Sequence, residues 1–121
     1  MSKIEVEKGN LEYYSEGNCI IEKETKKLIV GCKTSKIPSD VLSIGENAFS
    51  GRKSLRNISI PNGVETIGKD AFYCCESLEN VIIANSVINI GEDAFYGCKS
   101  LKEISIPYSV KTMGWGRVQL L

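Results

Sequence analysis

A block of 23 residues is written three times in succession, and no other property of this chain restricts its fold as much. Residues 64–86, VETIGKDAFYCCESLENVIIANS, align without a gap to residues 41–63, VLSIGENAFSGRKSLRNISIPNG. They align equally to residues 87–109, VINIGEDAFYGCKSLKEISIPYS, and a fourth copy opens at Val110 with VKTMGWG before it diverges. A fixed period of about 20 to 50 residues implies stacked units, each one coil of a solenoid.

Within the copy at 64–86, Val64 and Ile67 are three apart, and Gly68 provides a sharp turn where a Cβ would obstruct the chain. Asp70 follows, matched by Asn47 and Asp93, and such short polar side chains predict the start of a helical turn. Apolar columns then recur: Ala71 and Phe72, then Cys75, Leu78, Val81 and Ile83, with Phe49 and Phe95, Leu55 and Leu101, Ile60 and Ile106 in the flanking copies. Arg52 interrupts the column that holds Cys75 and Cys98. One coil alone cannot be stable. About eight inward side chains contribute about 1.5–3 kcal/mol each on burial, whereas ordering 23 backbone positions costs about 1–2 kcal/mol per residue. Stability must therefore come from coil-on-coil interfaces. Alternating polar and apolar residues predict parallel rungs at 3–6, 34–37, 57–60, 80–83 and 103–106. Pro38, Pro61 and Pro107 lack an N–H and belong at strand ends.

Residues 11–36 depart from the period. CII and LIVGC flank the polar tip EKETKK, which predicts a β-hairpin covering one end of the stack. With Thr25 and Lys26 at the turn centre, Ile21 pairs with Val30 and Cys19 with Cys32. Those cysteines could bond if oxidised, or serve as small apolar fillers.

The period I-G-x-x-A-F-x-x-C-x-x-L-x-x-I-x-I-P-x-S-V, carried by residues 37–114, resembles the BspA-type leucine-rich repeat, named for a bacterial surface antigen. The stretch GNLEYYSEGNCIIEKETKKLIVGCKTSKIP is similar to an insert that precedes such repeats. The resemblance implies a right-handed leucine-rich repeat solenoid, mostly β within the α/β class. Its parallel sheet would line the concave face, with short helical turns and minor strands opposite and a β-hairpin insert at the N-terminal end. Residues 1–36 would be a degenerate first repeat and hairpin cap, and 37–121 the repeats of the same single domain. The Asn of the commoner leucine-rich repeat is replaced by Gly63, Ser86 and Ser109. In the fourth copy Arg117 and Val118 stand where Ala and Phe are expected, and Val118–Leu121 end without a polar cap. Truncation is the preferred account; packing of that end on something else, including end-to-end self-association, is the other.

Composition narrows the chemistry. Fifteen basic residues balance fifteen acidic ones in an interspersed pattern, which disfavours nucleic-acid binding. Histidine is absent, which removes Ser-His-Asp and Cys-His catalysis and most zinc sites. The five cysteines, Cys19, Cys32, Cys74, Cys75 and Cys98, are an odd number and do not form a fully paired framework. Cys75 and Cys98 share a ladder position one coil apart, near enough to bond but more simply explained as stacked buried thiols, while Cys74, where the other copies have Gly51 and Gly97, is the more exposed and more reactive one. Glu46 and Glu92-Asp93 recur with the turn rather than forming an acid–base pair. The expectation is a non-enzymatic protein without metal or cofactor and without a membrane-inserted segment. The start, MSKIEVEKGN, lacks the shape of a signal peptide.

Alternation sends one column of each rung outward: Thr34, Asn57, Asn80 and Glu103, and beside it Lys36, Ser59, Ile82 and Ser105, with Asn62, Asn85 and Tyr108 just after the strands. The extended face of a solenoid is its common binding surface. Asn57, Ser59, Asn80, Ile82, Glu103, Ser105 and Tyr108 are the candidate partner-binding residues, Ile82 and Tyr108 being the apolar anchors in a polar field. The functional expectation is a protein-binding or adhesion module. The alternative is a structural spacer of a larger surface protein with no ligand of its own. An extracellular or cell-surface location is implied by the resemblance alone.

Overall fold

In the computed structural model, which describes residues 3–114, the chain is a mostly-β solenoid of about three turns with no helix among the described residues. It begins with an antiparallel meander, β1 (Tyr13–Glu16), β2 (Cys19–Glu22) and β3 (Lys27–Gly31). Six strands follow in chain order: β4 (Ser43–Ile44), β5 (Asn57–Ile60), β6 (Thr66–Ile67), β7 (Asn80–Ile83), β8 (Asn89–Ile90) and β9 (Thr112–Met113). The two-residue strands continue the meander into one sheet of order β1-β2-β3-β4-β6-β8-β9. The longer pair, β5 and β7, forms a separate parallel sheet. Its register steps by one period, Asn57 against Asn80 and Ile60 against Ile83, as does Thr66 against Asn89 in the other sheet.

The core is built from the columns of the repeat. Val41, Val64 and Val87; Ile44, Ile67 and Ile90; Ala48, Ala71 and Ala94; and Leu55, Leu78 and Leu101 are all buried. Phe49, Phe72 and Phe95 form a continuous stack, with centroids 5.0 and 5.3 Å apart and planes within 9° and 1°. The stack ends on backbone. A Cβ at Gly31 would lie 2.1 Å from Phe49 Cε2, so only glycine lets β3 close over the ring.

Three expectations from the sequence need correction. Asn47, Asp70 and Asp93 do not start helical turns: their φ values are +59°, +56° and +55°, in the left-handed region that Asn and Asp tolerate better than most residues. The N–H groups of this segment alternate in their use. Ala48, Ser50 and Arg52 donate to Gly45, Asn47 and Phe49 within the coil, whereas Asn47, Phe49 and Gly51 donate to Lys69, Ala71 and Tyr73 of the next. A helix would need all of them within the coil.

The second correction concerns the rungs. Of the five expected, only 57–60 and 80–83 are paired strands. At 34–37 the backbone is engaged elsewhere: Ser35 N–H donates to Cys32 O and Lys36 N–H to Gly17 O, both in the hairpin region. Near 3–6, the Val6 N–H donates to Ser15 Oγ at 2.9 Å. Residues 103–106 follow the last paired rung and carry no strand.

Third, the hairpin register differs. Cys19 opposes Gly31, Ile20 opposes Val30 and Ile21 opposes Leu28, with an irregularity between Ile20 and Ile21. Lys26 at φ +58° takes the left-handed turn position. Leu28 therefore joins Ile21 and Cys19 in the core, and Val30 is only half-buried. Cys74 is half-buried while the other four cysteines are buried, so it is the most exposed of the five, as its place in the glycine column suggests. All five cysteines are free thiols. The readings made for Arg117 and for the uncapped end at 118–121 lie outside the described residues.

Candidate protein-binding groove

Polar groups of the repeat are used mainly to tie one coil to the next. The Sγ of Cys75 donates to Phe49 O at 3.1 Å and that of Cys98 to Phe72 O at 3.2 Å. Burial pushes these thiols up to about 12 and about 11, so both are neutral donors near pH 7. Arg52 performs the same task at the first coil, its Nε donating to Gly31 O at 2.7 Å. The break in the cysteine column therefore has a cause: the neighbour there is the hairpin, and a longer donor is needed to reach it. Ser86 and Ser109 each close one turn of the stack, donating to the carbonyl that opens their own copy, Val64 O at 2.7 Å and Val87 O at 2.8 Å, and Ser86 Oγ also accepts the Gly63 N–H of the preceding copy at 3.0 Å. These serines occupy the place of the missing Asn. None of these groups is arranged as a nucleophile with a base. Among the described residues no group of three or more Cys, Asp or Glu side chains is placed to hold a metal ion, and no helix is long and apolar enough to cross a membrane.

The strands β5 and β7 present a different chemistry. Ile58, Ile60 and Ile83 point into the core, so Asn57, Ser59, Asn80 and Ile82 point away from it. The two asparagines bond to each other, Asn80 Nδ2 donating to Asn57 Oδ1 at 2.8 Å. With residues from the flanking segments they line an open groove of about 840 Å³. Of the seven residues singled out from sequence, the groove brings together Asn57, Ser59, Asn80, Ile82, Glu103 and Ser105. Tyr108 does not line it and stands 92% exposed beyond the strand ends. Ile82 is 65% exposed although it lies on a strand at the centre of the face.

Sequence reasoning missed Lys33 and Glu79, which line the groove from positions just before the outward columns. Their signal was the column 33, 56, 79 and 102, which holds Lys33, Arg56, Glu79 and Lys102 at the repeat period. Arg56 Nη1 lies 4.0 Å from Glu79 Oε1, an exposed pair of small energetic weight.

Three solved bacterial proteins share this architecture. The pneumococcal vaccine antigen PcpA is 29% identical with a TM-score of 0.85 over 93% of this chain, which spans only 29% of PcpA. A leucine-rich repeat protein from Bacteroides capillosus is 30% identical with a TM-score of 0.78, covering 84% of this chain and 87% of that one. One from Bacteroides ovatus is 33% identical with a TM-score of 0.64, over 84% of this chain and 29% of the other. No curated protein matches. A family model described as "BspA type Leucine rich repeat region (6 copies)" matches residues 21–117. The chain belongs to the BspA-type leucine-rich repeat family.

Proposed function

We propose that this chain is a protein-binding or adhesion module that engages its partner through the groove over β5 and β7. The observation that carries the reading is Ile82. An isoleucine two-thirds exposed at the centre of a strand face costs solubility and contributes nothing to the core, yet the same position in the other copies is Ser59 and Ser105. An apolar anchor ringed by asparagine and serine amides and hydroxyls has the composition of a binding hot spot inside a polar rim. The likeness to a bacterial vaccine antigen favours display at a cell surface.

The test is binding of the immobilised chain to an array of purified extracellular proteins, compared with its Ile82→Asp and Tyr108→Asp variants. A partner that binds the parent chain should lose about tenfold or more in affinity to Ile82→Asp, the range expected of a central anchor. Tyr108→Asp should have the smaller effect, because that residue stands outside the groove. A partner bound equally well by parent and Ile82→Asp would move the binding site elsewhere. Binding to none of the array would favour the alternative role, a spacer that holds other segments apart.

A further inference from the structure

We propose that the groove takes an extended peptide segment laid along the axis of the stack, acidic at one end and basic at the other. This deepens the reading above and rests on the groove being the binding face. The first observation is how charge is distributed. Lys33 and Lys36 line the end of the groove nearest the hairpin, and Glu103 lines the opposite end. The middle, Asn57, Asn80 and Ile82, is uncharged. Glu79 adds to the anionic half, though Arg56 at 4.0 Å partly offsets it. Although the chain is neutral as a whole, its groove carries a charge gradient. A partner that matches it presents acid to the lysines and base to Glu103.

The second observation is length. Coils one period apart lie about 4.8 Å apart where their strands pair, as 57–60 does with 80–83, so the three coil steps from Lys36 to Glu103 span about 14 Å. An extended chain rises about 3.3 Å per residue, so the acidic and basic side chains belong about four residues apart. One apolar side chain between them meets Ile82. The third observation is the asparagine pair. A side-chain amide has two N–H donors and a carbonyl with two lone pairs, and the Asn80–Asn57 bond uses one donor and one lone pair. The remaining capacity suits the N–H and C=O of a peptide group running past it. A second copy of the chain fits less well, since two facing concavities leave each other unfilled, whereas a single extended segment enters the groove.

The experiment is selection of a displayed random 12-residue peptide library on the parent chain and on the double variant Lys33→Glu/Lys36→Glu, followed by titration of the enriched synthetic peptides. Both lysines are exposed, so the variant should keep the parent's circular dichroism and thermal midpoint. The parent should enrich peptides with an acidic and a basic residue about four positions apart and an apolar residue between. The variant, whose groove is then anionic at both ends, should enrich basic peptides without the acid and should bind the parent's peptide about tenfold more weakly. Identical peptides from parent and variant, or enrichment without charge spacing, would overturn the proposal, as would no enrichment on either. Ile82→Asp separates the two levels of inference. If uncharged peptides bind the parent and lose affinity in Ile82→Asp, the groove is the site and only the charge pattern is wrong. If peptide binding ignores Ile82→Asp, the groove itself is not the site.

Discussion

Cys74 sits in a backbone conformation that its column otherwise reserves for glycine: φ is +56° there, against +70° at Gly51 and +76° at Gly97. A side chain in the left-handed region costs about 1–2 kcal/mol. Replacing it by glycine also frees the unfolded chain, which takes back about 0.4–1 kcal/mol. The first effect is larger, so Cys74→Gly should raise stability by about 0.5–1 kcal/mol. Cys74→Ala keeps the Cβ and should bring no gain. Urea denaturation of both variants decides the matter, and a Gly variant less stable than the Ala variant would show that the backbone there is unstrained. The same residue scale explains where the sequence misled. Asn47, Asp70 and Asp93 favour both helix starts and left-handed turns, and the residue types alone do not separate the two. What separates them is the destination of the N–H groups, which lies in the neighbouring coil. Arg52 had the same kind of explanation, invisible in its own copy and supplied by Gly31 O in the hairpin.

At the scale of the element, the phenylalanine stack is the most uniform feature of the fold, and it was fully legible because it needs only periodicity. Phe72 is the middle ring and touches both others. Phe72→Ala should destabilise the chain by about 3–5 kcal/mol, the usual range for a buried aromatic truncation. Hydrogen exchange should speed up at Phe49 and at Phe72 itself, whose amides donate to Ala71 O and Ala94 O across the two affected interfaces. A midpoint unchanged within about 0.5 kcal/mol would place Phe72 outside the core. The paired strands 57–60 and 80–83 were legible for the same reason, and with them the outward residues that line the groove. The rungs at 3–6 and 34–37 were not. Period-2 alternation reports which face a side chain takes, but not what the backbone bonds to. Ser35, Lys36 and Val6 all direct their N–H groups to the hairpin region. The hairpin register failed on local turn chemistry: Lys26 at φ +58° and the irregularity at Ile20–Ile21 slide the pairing, so that Cys19 meets Gly31.

For the whole molecule, the hairpin is the first coil's neighbour rather than an appendage. It buries Cys19, Ile21, Leu28 and Cys32 completely, in the same cluster as the repeat columns apart from Cys32. It closes the phenylalanine stack at Gly31, accepts Arg52 Nε, and through β3–β4 pairs Lys27 with Ser43 and Leu28 with Ile44. Tyr14 Oη also donates to Asp40 Oδ2 at 2.5 Å, tying β1 to the entry of the first repeat. A solenoid holds together through its interfaces, each coil contributing little alone. Three full copies sit close to the minimum such a stack needs. Removing residues 1–36 strips the cover from Phe49 and Ile44 and leaves Arg52 Nε without its acceptor. Exposing two such side chains costs about 3–6 kcal/mol, comparable with the whole stability of a small domain, about 5–15 kcal/mol. A chain starting at residue 37 should therefore lose its cooperative thermal transition, or retain it only at a midpoint far below that of the full chain, and should associate on size exclusion through the uncovered coil. If it stayed monomeric with an unchanged midpoint, the hairpin would be a separate unit resting on a self-sufficient stack, and the single continuous core described above would have to be divided in two.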